Sequence, residues 1–252
     1  MTNFELPDMD PDAWRARSSE EVNFWEQWVK TGGSAWPEGY KRKTDPNAPL
    51  VQMVEKFLGE LNYDSSKVAK ILDIGAGPLS YVGTRSDTYK VDLTVVDPLA
   101  DDYNRLLDAK GVTGVARPQY GYFETATQQF GLNAFDLVWC FNSLDHSMDP
   151  VLGLFNLLSV CRIGGGLILS FHPNEADHGD YHGLHQWNLD YVNGSMIVSQ
   201  KGRQLNLMPM LEQQEIVNLW QMEHEENENG KGRVFLKLKK TSECNLSQCL
   251  IS

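Results

Sequence analysis

Long apolar runs are missing. No stretch of about 18 consecutive apolar residues occurs in the 252-residue chain, so none of its helices is expected to cross a membrane. Basic residues are scarce as well: 22 Lys and Arg stand against 34 Asp and Glu, a formal net charge of -12. No basic stripe interleaved with aromatics is present, which argues against nucleic acid or an anionic membrane as partner. The four cysteines, Cys140, Cys161, Cys244 and Cys249, contain no C-x-x-C pair, so a disulfide scaffold or Cys-rich zinc module is not expected and the thiols read as reduced. The opening residues have neither a basic start nor an apolar run, so no targeting segment is expected and the location reads as cytoplasmic. Internal repeats and low-complexity tracts are also lacking. What is present is a globular composition, 41% hydrophobic, with seven Trp. Four of them, Trp14, Trp25, Trp28 and Trp36, fall in the first 36 residues.

Residues 1–66 read as a helical appendage or cap, 67–240 as the main domain and 241–252 as a frayed tail. In the appendage, Ser18 and Glu21 have capping-box spacing, and Val22, Trp25, Trp28 and Val29 recur on one helical face. A Gly- and Pro-broken stretch with the cluster Lys41-Arg42-Lys43 reads as a loop or lid. Val51, Val54, Leu58 and Leu61 mark a second amphipathic helix ending near Asn62. From Lys67 the pattern changes to short runs apolar on both faces, at 68–74, 92–97, 112–116, 135–141 and 166–171, as expected of parallel strands covered by helices. Asp149 and Pro150 form a helix start before VLGLFNLLSVCR, and segments 216–225 and 232–240 read as a closing antiparallel hairpin. The expectation is a doubly wound α/β domain with a mostly parallel seven-stranded sheet, that hairpin and an N-terminal helical cap.

The sharpest local signal is Asp73-Ile-Gly75-Ala76-Gly77, a strand running into a Gly turn and then into an expected helix. A dinucleotide fingerprint would need a third glycine where Ser80 stands. Asp73 carries more information. A carboxylate there repels a pyrophosphate and attracts an ammonium, which favours S-adenosylmethionine over NAD or ATP. Asp97 ends the next strand twenty residues after Gly77, where an acid can accept both hydroxyls of a ribose.

These residues resemble the class I S-adenosylmethionine-dependent methyltransferases. Asp73-Ile-Gly75-Ala-Gly77 matches the family's D-x-G-x-G loop, and Asp97 followed by Pro98 its ribose-binding acid. Phe123-Glu124 matches the segment flanking the adenine, and FDLVWCFNSLDHSMDP its fourth strand and the turn that carries Asn142. The resemblance spans roughly 67–171 in the expected order and implies an antiparallel last strand. It departs from the family at Leu79, preceded by Pro78, where a third glycine is frequent. The FWxxW helix and WPEGYK loop are similar to the leading region of bacterial sugar and small-molecule methyltransferases, which implies a cap over an acceptor; packing alone would also account for those Trp.

The acceptor is expected at the carboxyl ends of the strands, where five of the six histidines fall: His146, His172, His178, His182 and His185. For a hydroxyl acceptor, His146, His182 or His185 is a candidate general base, with Asp145, Trp187 and Trp36 as acceptor-side residues. A divalent metal on His178, His182 and His185 with Asp177, Asp180 or Asp145 is the less favoured alternative. The sequence thus points to O-methylation of a sugar or glycan hydroxyl. N- or C-methylation of a natural-product or protein acceptor, and a non-catalytic cofactor-binding subunit, stay open.

Overall fold

The structure, a computed structural model, describes residues 11–34, 36–213, 217–226 and 232–243. The segment before Pro11, the turn of the C-terminal hairpin, and Cys244 and Cys249 with the end of the tail lie outside the described residues. Helices α1 (Pro11–Arg17), α2 (Ser19–Thr31), α3 (Pro37–Thr44) and α4 (Gln52–Glu60) come first. A six-stranded sheet follows, built from β1 (Val68–Ile74), β2 (Lys90–Val96), β3 (Phe135–Phe141), β4 (Cys161–Phe171) and, at the end of the chain, β8 (Val217–Glu226) and β9 (Gly232–Lys240). Its order is β2-β1-β3-β4-β9-β8, parallel through β4 and antiparallel for the closing hairpin.

Strand periodicity divides the core between the two faces. Leu72, Ile74, Val138, Cys140, Leu167 and Leu169 join one cluster with α7 (Pro150–Val160), whose residues are buried almost all round. Ile71, Leu137, Trp139 and Ile168 face the other way, onto Val54, Phe57, Leu58 and Leu61 from α4 and its C-terminal end. Each such side chain contributes about 1.5–3 kcal/mol on burial, so the two clusters hold the sheet from both sides. Helix α7 starts as its sequence dictates: Asp149 Oδ1 accepts the N–H groups of Val151 and Leu152, both at 2.9 Å, with Pro150 in the first turn. Asp149→Ala is expected to lower unfolding free energy by about 1 kcal/mol, read as a lower urea midpoint at unchanged m-value.

Several local expectations are corrected. No helix follows Gly77: residues 75–89 are turns and bends. They are tied to the segment before α4 by Leu50 N–H to the Arg85 carbonyl (2.7 Å) and Val51 N–H to the Val82 carbonyl (2.8 Å), while α4 covers that face of the sheet. Segment 112–116 forms no strand. Gly114 turns at φ 79°, and the place beside β2 is taken by a single parallel bridge, Val96 to Gln119. Ser18 makes no capping box; its hydroxyl donates to the Arg15 carbonyl, and Glu21 instead accepts the Trp25 indole N–H. The stretch read as a loop contains α3. Between α8 (Glu175–His178) and α9 (Met208–Gln213) lies a three-stranded antiparallel sheet of β5 (Asn188–Val192), β6 (Ser195–Gln200) and β7 (Arg203–Asn206), for which no expectation was drawn from the sequence. Leu189, Met196 and Val198 from that sheet pack into the α7 cluster.

Candidate active site

A cavity of about 760 Å³ opens at the carboxyl ends of β1, β2 and β3 beneath α2 and α3. All nine residues singled out for the cofactor line it. Gly75 and Gly77 adopt φ 69° and 66°, the left-handed region that glycine enters without strain. A Cβ on Gly75 would strike the Ser143 hydroxyl and come within 2.7 Å of the Phe123 ring, and one on Gly77 would come within 3.1 Å of the Trp25 indole. The loop therefore presents backbone where any side chain would fill the space.

The polar groups around this loop are mainly acceptors. Asp97, 6% exposed, uses one oxygen for the Gly77 N–H (2.9 Å) and the other for the Leu99 N–H (2.8 Å). A carboxylate has about four acceptor positions, so each oxygen keeps one. Burial pushes Asp97 up to about 7 against those two N–H groups, and burial pushes Asp73 up to about 6 against the Ser80 hydroxyl and the Lys43 charge. Glu124 Oε2 and the Asn142 side-chain oxygen are buried without a hydrogen-bond partner. Asn142 itself sits at φ 52°, in the left-handed region that Asn tolerates. A ligand that satisfies this set brings donors and no phosphate.

The cap completes the cavity. Trp14 is 3% exposed and donates its indole N–H to the His146 carbonyl at 2.6 Å, fixing the backbone of a site residue. Trp25 lies over Gly77 and packs edge-on to Trp28. Lys43 extends from α3 with its Nζ 5.2 Å from the Trp25 ring centroid and 5.9 Å from that of Trp28. Trp36, 58% exposed, stands at the rim against Phe24. The early Trp cluster signals this cap, whereas Lys43 comes from Lys41-Arg42-Lys43, a run that reads as solvated surface or as a contact with one phosphate or carboxylate of a small acceptor.

The histidines of the sequence separate: two of the candidates line the cavity and the others do not. His185 Nδ1 lies 2.8 Å from Asp145 Oδ2, with His146 Nε2 at 3.1 Å from the same nitrogen and 3.5 Å from the same oxygen. Asp145 is 2% exposed. Burial alone would lower the His185 pKa, but the hydrogen bond and charge of Asp145, with Glu175 and Glu21, outweigh it and raise the group above its ordinary 6.5. With the Nδ1 proton given to Asp145, Nε2 has no protein partner among the described residues, and both His146 and His185 line the cavity.

The remaining candidates are placed elsewhere. His182 is exposed and pairs with Glu20 at 2.8 Å, outside the cavity lining and apart from His146 and His185. Trp187 is fully buried and gives its N–H to the Ser147 carbonyl at 3.1 Å; its ring is core and offers no face to an acceptor. His172 bridges the Gly232 carbonyl and Arg233. The metal set built on His178 and His182 does not assemble: Asp177 accepts the Tyr181 hydroxyl, and among the described residues the donor atoms that converge are those of Asp145, His146 and His185, within 4.8 Å.

The parallel sheet with its antiparallel hairpin, and the Gly loop and acid at the ends of its first two strands, define the class I methyltransferase fold. The chain superposes on the CurJ carbon methyltransferase with a TM-score of 0.51 at 16% identity, over 75% of this chain and 52% of that one. It superposes on the CMeT domain of the citrinin polyketide synthase with a TM-score of 0.50 at 14% identity, over 76% and 52%. The chain thus spans about half the length of both. A chain from a complex that contains the Haloferax volcanii Trm112 methyltransferase activator gives a TM-score of 0.52 at 11% identity, over 90% and 98%. The sequence matches no family model and no curated protein.

Proposed function

We propose that the protein is an S-adenosylmethionine-dependent methyltransferase acting on a hydroxyl of a sugar, glycan or other small acceptor. The observation that carries the donor assignment is the acceptor-lined glycine cradle: Asp73, Asp97, Glu124 and Asn142 offer oxygens, and two of these, Glu124 Oε2 and the Asn142 side-chain oxygen, are buried without partners. Adenosylmethionine answers them with an adenine amino group, two ribose hydroxyls and an ammonium. When bound, it supplies a sulfonium methyl whose transfer to oxygen leaves a neutral thioether.

The chain's own part is alignment and removal of one proton. His185, held by Asp145 with its proton on Nδ1, takes the acceptor's hydroxyl proton at Nε2. Trp14 fixes His146 beside it. Trp36 and Phe24 give the mouth an aromatic rim suited to the face of a sugar ring. The imidazole–carboxylate cluster suits an acceptor that keeps its proton at neutral pH and needs a base, which a hydroxyl does and an activated carbon does too; the aromatic rim is what favours a sugar hydroxyl between them. Turnover in a panel of sugars and glycans tests the acceptor class, and EDTA is expected to leave it unchanged. Metal dependence would replace the base with a cation held by Asp145, His146 and His185.

Donor affinity is expected to depend on pH in one direction. Asp97 and Asp73 titrate near 7 and 6, and the ligand's donors favour their ionised forms. S-Adenosylhomocysteine affinity measured by calorimetry should therefore rise from pH 5.5 to 7.5, by about tenfold per unit between 6 and 7 where one proton is released on binding, and more steeply below 6 where both carboxyl groups must release one. A flat profile would remove these carboxylates from the donor site.

A further inference from the structure

We propose that Lys43 holds the α-carboxylate of the donor, so that the amino-acid end of adenosylmethionine is read as a zwitterion between Asp73 and the cap. The inference rests on the donor assignment above and adds a residue to it.

Lys43 lies in the last turn of α3, and α3 is fastened to the loop beyond the glycine cradle. Its neighbour Arg42 donates to the Tyr81 carbonyl at 3.2 Å and to the Pro49 carbonyl at 2.5 Å. The backbone that carries Lys43 is therefore fixed to the segment that follows Gly77. The Lys43 stem passes over Trp25 and Trp28, the first of which covers Gly77, and its Nζ enters the cavity wall. There it feels the charges of Asp73 and Asp97, yet it makes no ion pair within 4.0 Å and no hydrogen bond among the described residues. A half-buried ammonium at the wall of the cavity, with no acceptor of its own among the described residues, is placed to receive one from a ligand.

The chemistry of the cavity says which acceptor. Besides the imidazoles, two basic side chains line it, Lys43 and Arg233. Arg233 is engaged beyond β4, donating to His172 and lying 4.3 Å from the Phe141 ring centroid. Asp73, at the end of β1, suits the donor's ammonium, and a carboxylate one carbon away from that ammonium falls to Lys43. A phosphate in the same place would meet two buried acids with one lysine to balance them, whereas a zwitterion brings its own compensating charge.

Two ligands separate this role from simple packing of the cap. S-Adenosylhomocysteine carries both the ammonium and the carboxylate; its decarboxylated analogue, S-adenosyl-3-thiopropylamine, keeps the ammonium and lacks the carboxylate. Calorimetry with the full chain is expected to show Lys43→Met weakening S-adenosylhomocysteine by about 10- to 100-fold, as for loss of one charge-assisted hydrogen bond. The same variant should bind the decarboxylated analogue as the wild type does, or slightly tighter, because a like charge has been removed. Lys43→Arg should recover most of the preference. Equal losses for both ligands would make Lys43 a packing residue and overturn the proposal, as would an unchanged affinity for S-adenosylhomocysteine. A wild-type protein that binds neither ligand would overturn the donor assignment itself, and the proposal with it.

Discussion

Asp97→Ala is expected to weaken S-adenosylhomocysteine by at least about 100-fold, the loss of two hydrogen bonds to a charged acceptor at roughly 1.5–3 kcal/mol each. Two effects combine. The spare positions on its oxygens, which would receive the ribose hydroxyls, disappear. The oxygens that hold Gly77 N–H and Leu99 N–H disappear too, so the cradle loses the brace that fixes its second glycine. Asp97→Asn keeps an acceptor oxygen for one of those N–H groups and should fall between wild type and Ala. Asp97→Asn should also flatten the pH dependence above pH 6, because the group titrating near 7 is gone. Thermal unfolding without ligand separates the two effects: a large loss of affinity with a small change in Tm identifies ligand contact, and a parallel loss identifies the brace. Wild-type affinity in Asp97→Ala would refute the donor assignment.

How far the sequence speaks depends on whether a signal is local. The strands at 68–74 and 135–141 have their observed bounds because runs apolar on both faces have few other places to go in a sheet buried on both sides. The cradle was legible for the same reason: the ends of β1 and β2 are adjacent in any parallel pair, here with Asp73 opposite Val95, so Asp73 and Asp97 must lie close together. The missing helix after Gly77 was not legible, since its place is taken by α4, which lies earlier in the chain and is tied there by backbone pairing with 82–85. The small sheet was legible in principle. Asn193-Gly194 and Lys201-Gly202 each separate two strands by two residues, all four at positive φ, and Asn-Gly between alternating residues is a strong hairpin signal. The sorting of the histidines is a long-range result: His185 meets Asp145 across 40 residues and His182 meets Glu20 across 162, distances over which spacing carries no information. For a related reason the run Lys41-Arg42-Lys43 is visible in the sequence but not which of its three residues turns inward.

The catalytic assignment makes the last and most discriminating prediction. His185→Ala is expected to reduce kcat by about 10²–10⁴-fold, the usual worth of a positioned general base, with S-adenosylhomocysteine affinity little changed because the His185 hydrogen bonds go to Asp145 and His146 and to no group of the donor cradle. Asp145→Asn tests the pair rather than the residue. The carboxylate raises the His185 pKa and holds its proton on Nδ1; the amide keeps the shape and can do neither reliably. Its expected signature is a lowered kcat together with an acid limb shifted to lower pH. In the wild type the base is available only once His185 has lost its proton, so activity should rise with pH through a value above 6.5. With the Asp145 charge removed, burial dominates and that limb moves down. A purely structural role for Asp145 would lower Tm and leave the limb in place. If His185→Ala and Asp145→Asn both retain full methyl transfer, the base assignment fails while the donor site stands, and His146, 3.1 Å from His185, becomes the group to test.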